Sequence, residues 1–98
     1  MSFKWLWIIE RKNLIKKFII DNLKKNTQLL DVGGGAGVLS TDLINIGYNV
    51  DLIDISEKML DLASDKYKNN NLDLKTNKLI KGNFLEIKIN KIYNCVCA

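Results

Sequence analysis

Two aspartates and a run of glycines carry the chemistry this chain is equipped for. Asp31 lies at the end of the apolar stretch Leu29 to Val32, and Gly33, Gly34, Gly35 and Gly37 follow at once. Asp54 stands near the end of a second apolar stretch, 17 residues past Gly37. Glycines lack a Cβ, so they accept positive φ and let a ligand lie against bare main chain. A helix starting directly after such a loop aims unpaired N–H groups and the positive end of its dipole at that ligand. A carboxylate at the end of the neighbouring strand can accept from both hydroxyls of a ribose. Asn83 and Phe84 follow a third apolar stretch and offer an amide for a purine edge and a ring for packing. The set suits an adenosine-containing ligand with a cationic part and an anionic or polar part.

The glycine spacing separates this loop from two other phosphate and nucleotide cradles. A P-loop needs G-x-x-x-x-G-K-[ST], but the residue five past Gly33 is Val38, and no lysine stands nearby. The dinucleotide fingerprint G-x-G-x-x-G needs its third glycine at position 38 or 40, which hold Val38 and Ser40. The spacing present is G-x-G-x-G, at Gly33, Gly35 and Gly37. Purely structural roles stand beside the functional ones. Asp54 also suits a cap on the loop before the next helix, Asp31 a turn satisfied by backbone, and Gly82-Asn83 a plain turn pair. Buried carboxylates are costly without partners, so the two aspartates together favour a site. Asp51 alternates with Ile53 and is expected to face solvent or a loop.

Composition narrows the functions further. The net charge is +4 over 98 residues, but Arg11 is the single arginine among 15 basic residues. Arginine is the better reader of phosphates and bases, so the balance is weak support for nucleic acid. There is no histidine, the commonest general base and metal ligand. Cys95 and Cys97 are two apart with no ligand cluster beside them, so no metal site is expected. Their spacing in a strand is also poor for a disulfide, and they are expected as reduced, packed thiols. The run Trp5 to Ile9 is too short to cross a bilayer and meets Glu10 and Arg11 at once. It lacks a small-residue cleavage site as well, so a cytoplasmic, non-membrane protein is expected.

Apolar periodicity supplies the elements that must hold these residues. A helix is expected from about Phe3 to Lys25, with Leu14, Ile15, Phe18, Ile19 and Leu23 on one stripe. It either packs on a sheet or serves as a lid whose Trp5 and Trp7 end covers a pocket. A strand follows at Gln28 to Val32, and a helix from about Gly37 to Ile46 with Val38, Leu39, Leu43 and Ile46 inward. Val50 to Ile55 forms a second strand. Ser56 caps the next helix, marked by Met59, Leu60, Leu62, Ala63 and Tyr67 and ended by Asn69-Asn70-Asn71. Asn77 to Lys81 is a third strand, 82–86 a turn, and 92–98 a fourth strand. Alternating strands and helices with short loops predict an α/β fold whose sheet is mostly parallel, with helices on both faces. Ligands in such sheets bind beyond the carboxyl ends of the strands.

Leu-Leu-Asp-Val-Gly-Gly-Gly-Ala-Gly, then Val-Asp-Leu-Ile-Asp-Ile-Ser-Glu-Lys-Met-Leu, then Gly-Asn-Phe-Leu-Glu together resemble the class I S-adenosylmethionine-dependent methyltransferases. The resemblance runs from about Thr27 to the last residue and keeps the family's motif order. It implies a Rossmann-like three-layer sandwich and binding of S-adenosylmethionine. Gly33, Gly35 and Gly37 would carry the methionine part, and Asp31 would help hold its amino group. Asp54 would bind the ribose hydroxyls, with Ile55 against the adenine. Asn83 stands where the family commonly has an aspartate accepting from the adenine amino group, and Phe84 would pack beside the base. The chemistry implied is in-line displacement at the sulfonium methyl, which needs position and orientation and no protein nucleophile, so no catalytic residue is assigned.

Family members run for about as long again. The expectation is therefore residues 1–26 as an N-terminal helix and 27–98 as the cofactor-binding half of a sheet truncated after about the fourth strand, binding S-adenosylmethionine weakly or not at all alone and inactive alone toward an unidentified acceptor. The fourth strand would leave an apolar edge open to self-association through 92–98. A binding or interaction module on the same fold is the competing expectation. A nicotinamide cofactor is allowed by Asp54 and disfavoured by the glycine spacing.

Overall fold

The computed structural model describes residues 3–86 and 93–97, with side chains from Lys12 onward. The Trp5 and Trp7 lid therefore lies outside the described side chains, and Ile92 and Ala98 outside the described residues. The elements are α1 (Phe3–Asn22), β1 (Gln28–Val32), α2 (Val38–Ile46), β2 (Asn49–Asp54), α3 (Glu57–Asn69), β3 (Leu79–Lys81) and β4 (Cys95–Cys97). The strands form one sheet in the order β3-β2-β1-β4, every pair parallel. No helix among the described residues is long and apolar enough to cross a membrane.

Register decides which side chains share a face. Leu29 pairs with Val50 and Cys95, and Asp31 with Leu52 and Cys97. These positions share one face, and the described helices cover it. Ile19 of α1 and Leu39 and Leu43 of α2 bury Leu29, Val50 and Cys97. Leu60 and Ala63 of α3 bury Leu52. Burying an aliphatic side chain contributes about 1.5–3 kcal/mol, so this layer supplies the main cohesion. The opposite face presents Leu30, Asp51 and Ile53, all buried. The segment between β3 and β4 reaches that face through Tyr93, whose hydroxyl donates to Asp51 Oδ2 at 2.6 Å.

Several expectations need correction, the first being helices on both faces: among the described residues α1, α2 and α3 all pack on one face of the sheet. On α1, Ile19 is buried and Ile15 and Leu23 flank it, but Leu14 and Phe18 are exposed. The helix meets the core along one narrow i, i+4, i+8 line, and residues one step off it turn away toward β4. Met59 and Leu62 of α3 and Val38 of α2 are likewise partly exposed. Of the two surroundings expected for Asp51, the structure gives the loop and not solvent: it is 1% exposed, and its Oδ1 accepts at 2.8 Å from the N–H of Lys78, in the loop before β3. The third strand is shorter than expected because Asn77 turns inward, where its Oδ1 accepts from Val50 N–H at 2.8 Å.

Two local devices set the ends of the elements next to the glycine loop. Gly37 caps α2 at φ 80, with no side chain bonding the helix end. Ser56 caps α3, its hydroxyl accepting from Met59 N–H at 3.2 Å. At the far end of α2, Tyr48 donates to the carbonyls of Ile19 (3.2 Å) and Leu23 (2.7 Å), tying α1 to the domain.

Candidate ligand site at the glycine loop

The loop between β1 and α2 is built by backbone geometry that other residues resist. Gly33, Gly35 and Gly37 all take positive φ. At Gly37 an added Cβ would lie 3.1 Å from Ala63 Cβ, so the residue is fixed by both conformation and space. At Gly34 the constraint is space alone: a Cβ would lie 2.7 Å from Asp31 Oδ2 and 2.8 Å from Leu52 Cδ1. Gly33 and Gly35 differ, because a Cβ there would meet nothing within 4 Å. The loop thus presses one glycine onto Asp31 and leaves main chain open at two others.

Asp54 reaches the same loop from β2. Its Oδ2 accepts from Gly35 N–H at 3.1 Å and its Oδ1 from Ser56 N–H at 2.8 Å. It therefore does cap the β2–α3 loop, and it also ties that loop to the glycines. A carboxylate has about four acceptor sites, so two further donors can still be taken. Asp31 is 6% exposed, and its Oδ2 has no hydrogen-bond partner among the described residues. Burial pushes its pKa up to about 6; the Lys12 ammonium opposes this, and the Asp54 charge adds to it. The two carboxylates thus feel one another across the loop.

The third loop arrives at the same end of the sheet. Lys81 pairs with Asp54 in the ladder, and Gly82 N–H donates to the Asp54 carbonyl at 3.0 Å. Asn83 and Phe84 follow directly. Asn83 Oδ1 accepts from Leu85 N–H at 3.0 Å, so it makes the turn expected of Gly-Asn and keeps a second lone pair. Ile55 is 71% exposed and Phe84 is partly exposed, both at this rim. All eight residues singled out from sequence therefore gather at the carboxyl ends of β1, β2 and β3 and in the loops that follow.

Sequence reasoning missed the residues that hold the loop from below. Tyr67 is fully buried, its hydroxyl donates to Ser40 Oγ at 2.9 Å, and Ser40 donates to the Gly37 carbonyl at 3.3 Å. Burial pushes the Tyr67 pKa up to about 12, with the Asp31 and Asp51 charges adding and the Ser40 bond opposing. The signal was present: Leu60, Ala63 and Tyr67 form one buried stripe, and a buried phenol needs a partner. Cys97 lies beside Asp31 in the ladder, and burial pushes its thiol up to about 12, with Cys95 and Asp31 adding.

Comparison with known proteins gives the arrangement a family. Residues 29–98 match the family model described as a methyltransferase domain. The chain is 34% identical over 67 residues to the release factor glutamine methyltransferase of Streptococcus pneumoniae, covering 66% of this chain and 24% of that one. It is 39% identical over 67 residues to the ubiquinone biosynthesis O-methyltransferase of Pelagibacter ubique, covering 65% and 28%. The chain thus spans about a quarter of the length of these curated relatives. Among solved structures, a putative S-adenosyl-L-methionine-dependent methyltransferase from Methanococcus maripaludis superposes at TM-score 0.70 with 25% identity, over 81% of this chain and 36% of that one. Magnesium protoporphyrin IX methyltransferase from Synechocystis, solved with bound SAM, has the same fold at TM-score 0.77 and 23% identity, over 89% and 41%. The chain belongs to the S-adenosylmethionine-dependent methyltransferase domain family, of whose solved structures it spans about a third.

Proposed function

We propose that this chain binds S-adenosylmethionine at the glycine loop. Gly33, Gly35 and Gly37 carry the methionine part, with main chain open at Gly33 and Gly35 and Gly37 leading into the uncapped start of α2. Asp31 holds the amino group, and Asp54 accepts from the ribose hydroxyls. Ile55 and Phe84 flank the adenine, and Asn83 accepts from its amino group. The observation that carries this reading is that Asp31 and Asp54 meet at one loop, where Asp54 Oδ2 accepts from Gly35 N–H and the two carboxylates act on each other's charge. Two carboxylates set together at the ends of β1 and β2 favour a ligand with a cationic group. Two glycines whose missing side chains would meet nothing give the ligand its room.

When bound, S-adenosylmethionine supplies a sulfonium whose methyl group is open to in-line displacement. The residues of this chain bind and orient, which is where the protein's share of the rate comes from. The two curated relatives are named for different acceptors. The segment they share with this chain is accordingly assigned to the cofactor. Cofactor binding is assigned to the 98 residues themselves, and methyl transfer to an unidentified acceptor is assigned to the larger domain they correspond to. Calorimetry with S-adenosylhomocysteine and with NAD in parallel tests the reading. Heat with the homocysteine compound alone is expected, and a preference for NAD overturns it. Methyl transfer from labelled cofactor by the purified chain would overturn the division between binding and turnover.

A second reading attaches to β4, which among the described strands pairs only with β1. Val96 is half exposed there, and Leu14 and Phe18 line a groove of about 330 Å³ beside it. We propose that copies of the chain associate along this edge. Sedimentation giving a monomer mass at high concentration removes that reading and leaves the cofactor site untouched.

A further inference from the structure

The glycine loop is gripped at two points, and both grips come from the β2–α3 unit. Asp54, at the end of β2, holds the middle of the loop through Gly35 N–H. Tyr67, 13 residues further on, holds its end. The phenol donates to Ser40 Oγ, Ser40 donates to the Gly37 carbonyl, and Thr41 N–H donates to that same carbonyl at 2.9 Å. The Tyr67 ring also stands 3.4 Å from where a Gly37 Cβ would be. Gly37 is the residue at which the chain leaves the αL conformation and enters α2. No side chain caps that helix end, so its direction rests on the Gly37 peptide.

We infer that Tyr67 is a positioning residue for the cofactor: through Ser40 it fixes the Gly37 peptide, and so the aim of the open loop and of the α2 N–H groups. This rests on the cofactor reading above and deepens it. The ring itself stands against Gly37, so what the hydroxyl adds is its bond to Ser40. Its use is directional, since it orients the Ser40 hydroxyl toward the carbonyl. Both members are fully buried, so water does not compete for either bond.

The test is Tyr67→Phe, Ser40→Ala and the double variant, with Tyr48→Phe as a matched control. Tyr48 also donates from a buried phenol, but to α1 carbonyls. Two readouts are taken: affinity for S-adenosylhomocysteine, and amide hydrogen exchange at Gly35, Gly37 and Thr41. Each single variant is expected to lose about tenfold in affinity, the equivalent of one hydrogen bond of average worth, and the double variant no more than either. Exchange at Gly37 and Thr41 should accelerate in all three. Tyr48→Phe should lower the melting temperature and leave both loop readouts unchanged. Unchanged exchange at Gly37 in Tyr67→Phe overturns the inference, and so do additive losses or an equal effect from Tyr48→Phe. If the unaltered chain binds no S-adenosylhomocysteine, the cofactor reading falls, while exchange still decides whether Tyr67 fixes the loop. Should Tyr67→Phe fail to fold, Ser40→Ala breaks the same relay with a smaller change.

Discussion

Gly34 stands so close to Asp31 that a Cβ on it would lie 2.7 Å from the Asp31 carboxylate. Real Cβ atoms do not come that near, so Gly34→Ala must displace Asp31, Leu52 or the loop itself. Asp31 and Leu52 are buried, paired neighbours in the ladder, and neither has slack. The expected cost is about 1–3 kcal/mol of stability, the usual range for overpacking. Affinity for S-adenosylhomocysteine should fall as well, because Asp31 moves. Thermal unfolding and calorimetry on the variant check both. A Gly34→Ala chain with unchanged melting temperature would show that the close approach is not a constraint.

Asp31 gives a dependence on pH whose sign can be worked out. Its pKa rises from the ordinary 3.8 to about 6 in the fold, chiefly through burial. Between those values the folded chain keeps a proton that the unfolded chain releases. Stability from this group is therefore fully present below the unfolded pKa and lost as pH rises toward about 6, by up to about 3 kcal/mol. Above that the contribution is flat. Asp31→Asn should remove this slope from unfolding curves collected across the window. Ligand affinity should run the other way, because only the ionised carboxylate attracts an ammonium. Affinity for S-adenosylhomocysteine should rise with pH through about 6, and a flat profile there would remove Asp31 from the site.

Asp54 makes a sharper demand on charge than Asp31 does. Each oxygen already accepts from a backbone N–H, at Gly35 and at Ser56. In Asp54→Asn one of these N–H groups must face an amide NH₂, and the site loses a charged acceptor. Bonds to charged groups are worth about 1.5–3 kcal/mol, so affinity for S-adenosylhomocysteine should fall at least about tenfold. Ser56→Ala supplies the contrast. It removes the hydroxyl that accepts from Met59 and should cost about 0.5–2 kcal/mol of stability, while the Ser56 N–H bond to Asp54 remains. Equal affinity losses in the two variants would mean that Asp54 acts only through the fold.

The residues that were legible in sequence are those whose local chemistry determines their place. Gln28 to Val32 reads as a strand and is one, because an apolar run bounded by a polar break and glycines has few alternatives. Ser56 reads as a cap and bonds Met59 N–H. The gathering of Asp31, the glycines, Asp54 and the 82–86 turn at one end follows from parallel strands, which bring successive loops to the same side. What sequence does not carry is which partner, distant in the chain, a polar side chain finds. Asn77 meets Val50 across 27 positions, Tyr67 meets Ser40 across 27, and Asp51 meets Tyr93 across 42. A period-two pattern assigns Asp51 a face of the strand, but only the whole chain shows that this face is covered.

Asp51 and Tyr93 provide a last prediction, one that separates stability from binding. The phenol donates to Asp51 Oδ2 at 2.6 Å, and Lys78 N–H donates to Oδ1 at 2.8 Å. Asp51 thus joins β2 to the start of β3 and to the segment entering β4. Burial, the bond to Asp51 and its charge together push the Tyr93 pKa up, so the phenol stays protonated and donating across the neutral range. Tyr93→Phe deletes that donor beside a carboxylate that is 1% exposed. The expected loss is about 1–3 kcal/mol, the cost of withdrawing a partner from a buried polar group. Asp51 lies three residues before Asp54, on the opposite face of the strand. Affinity for S-adenosylhomocysteine should therefore hold within about twofold at temperatures where the variant is folded, a difference of only a few tenths of a kcal/mol. Chemical unfolding followed by calorimetry on the folded variant checks both halves, and a tenfold loss of affinity would place Asp51 in the ligand site after all.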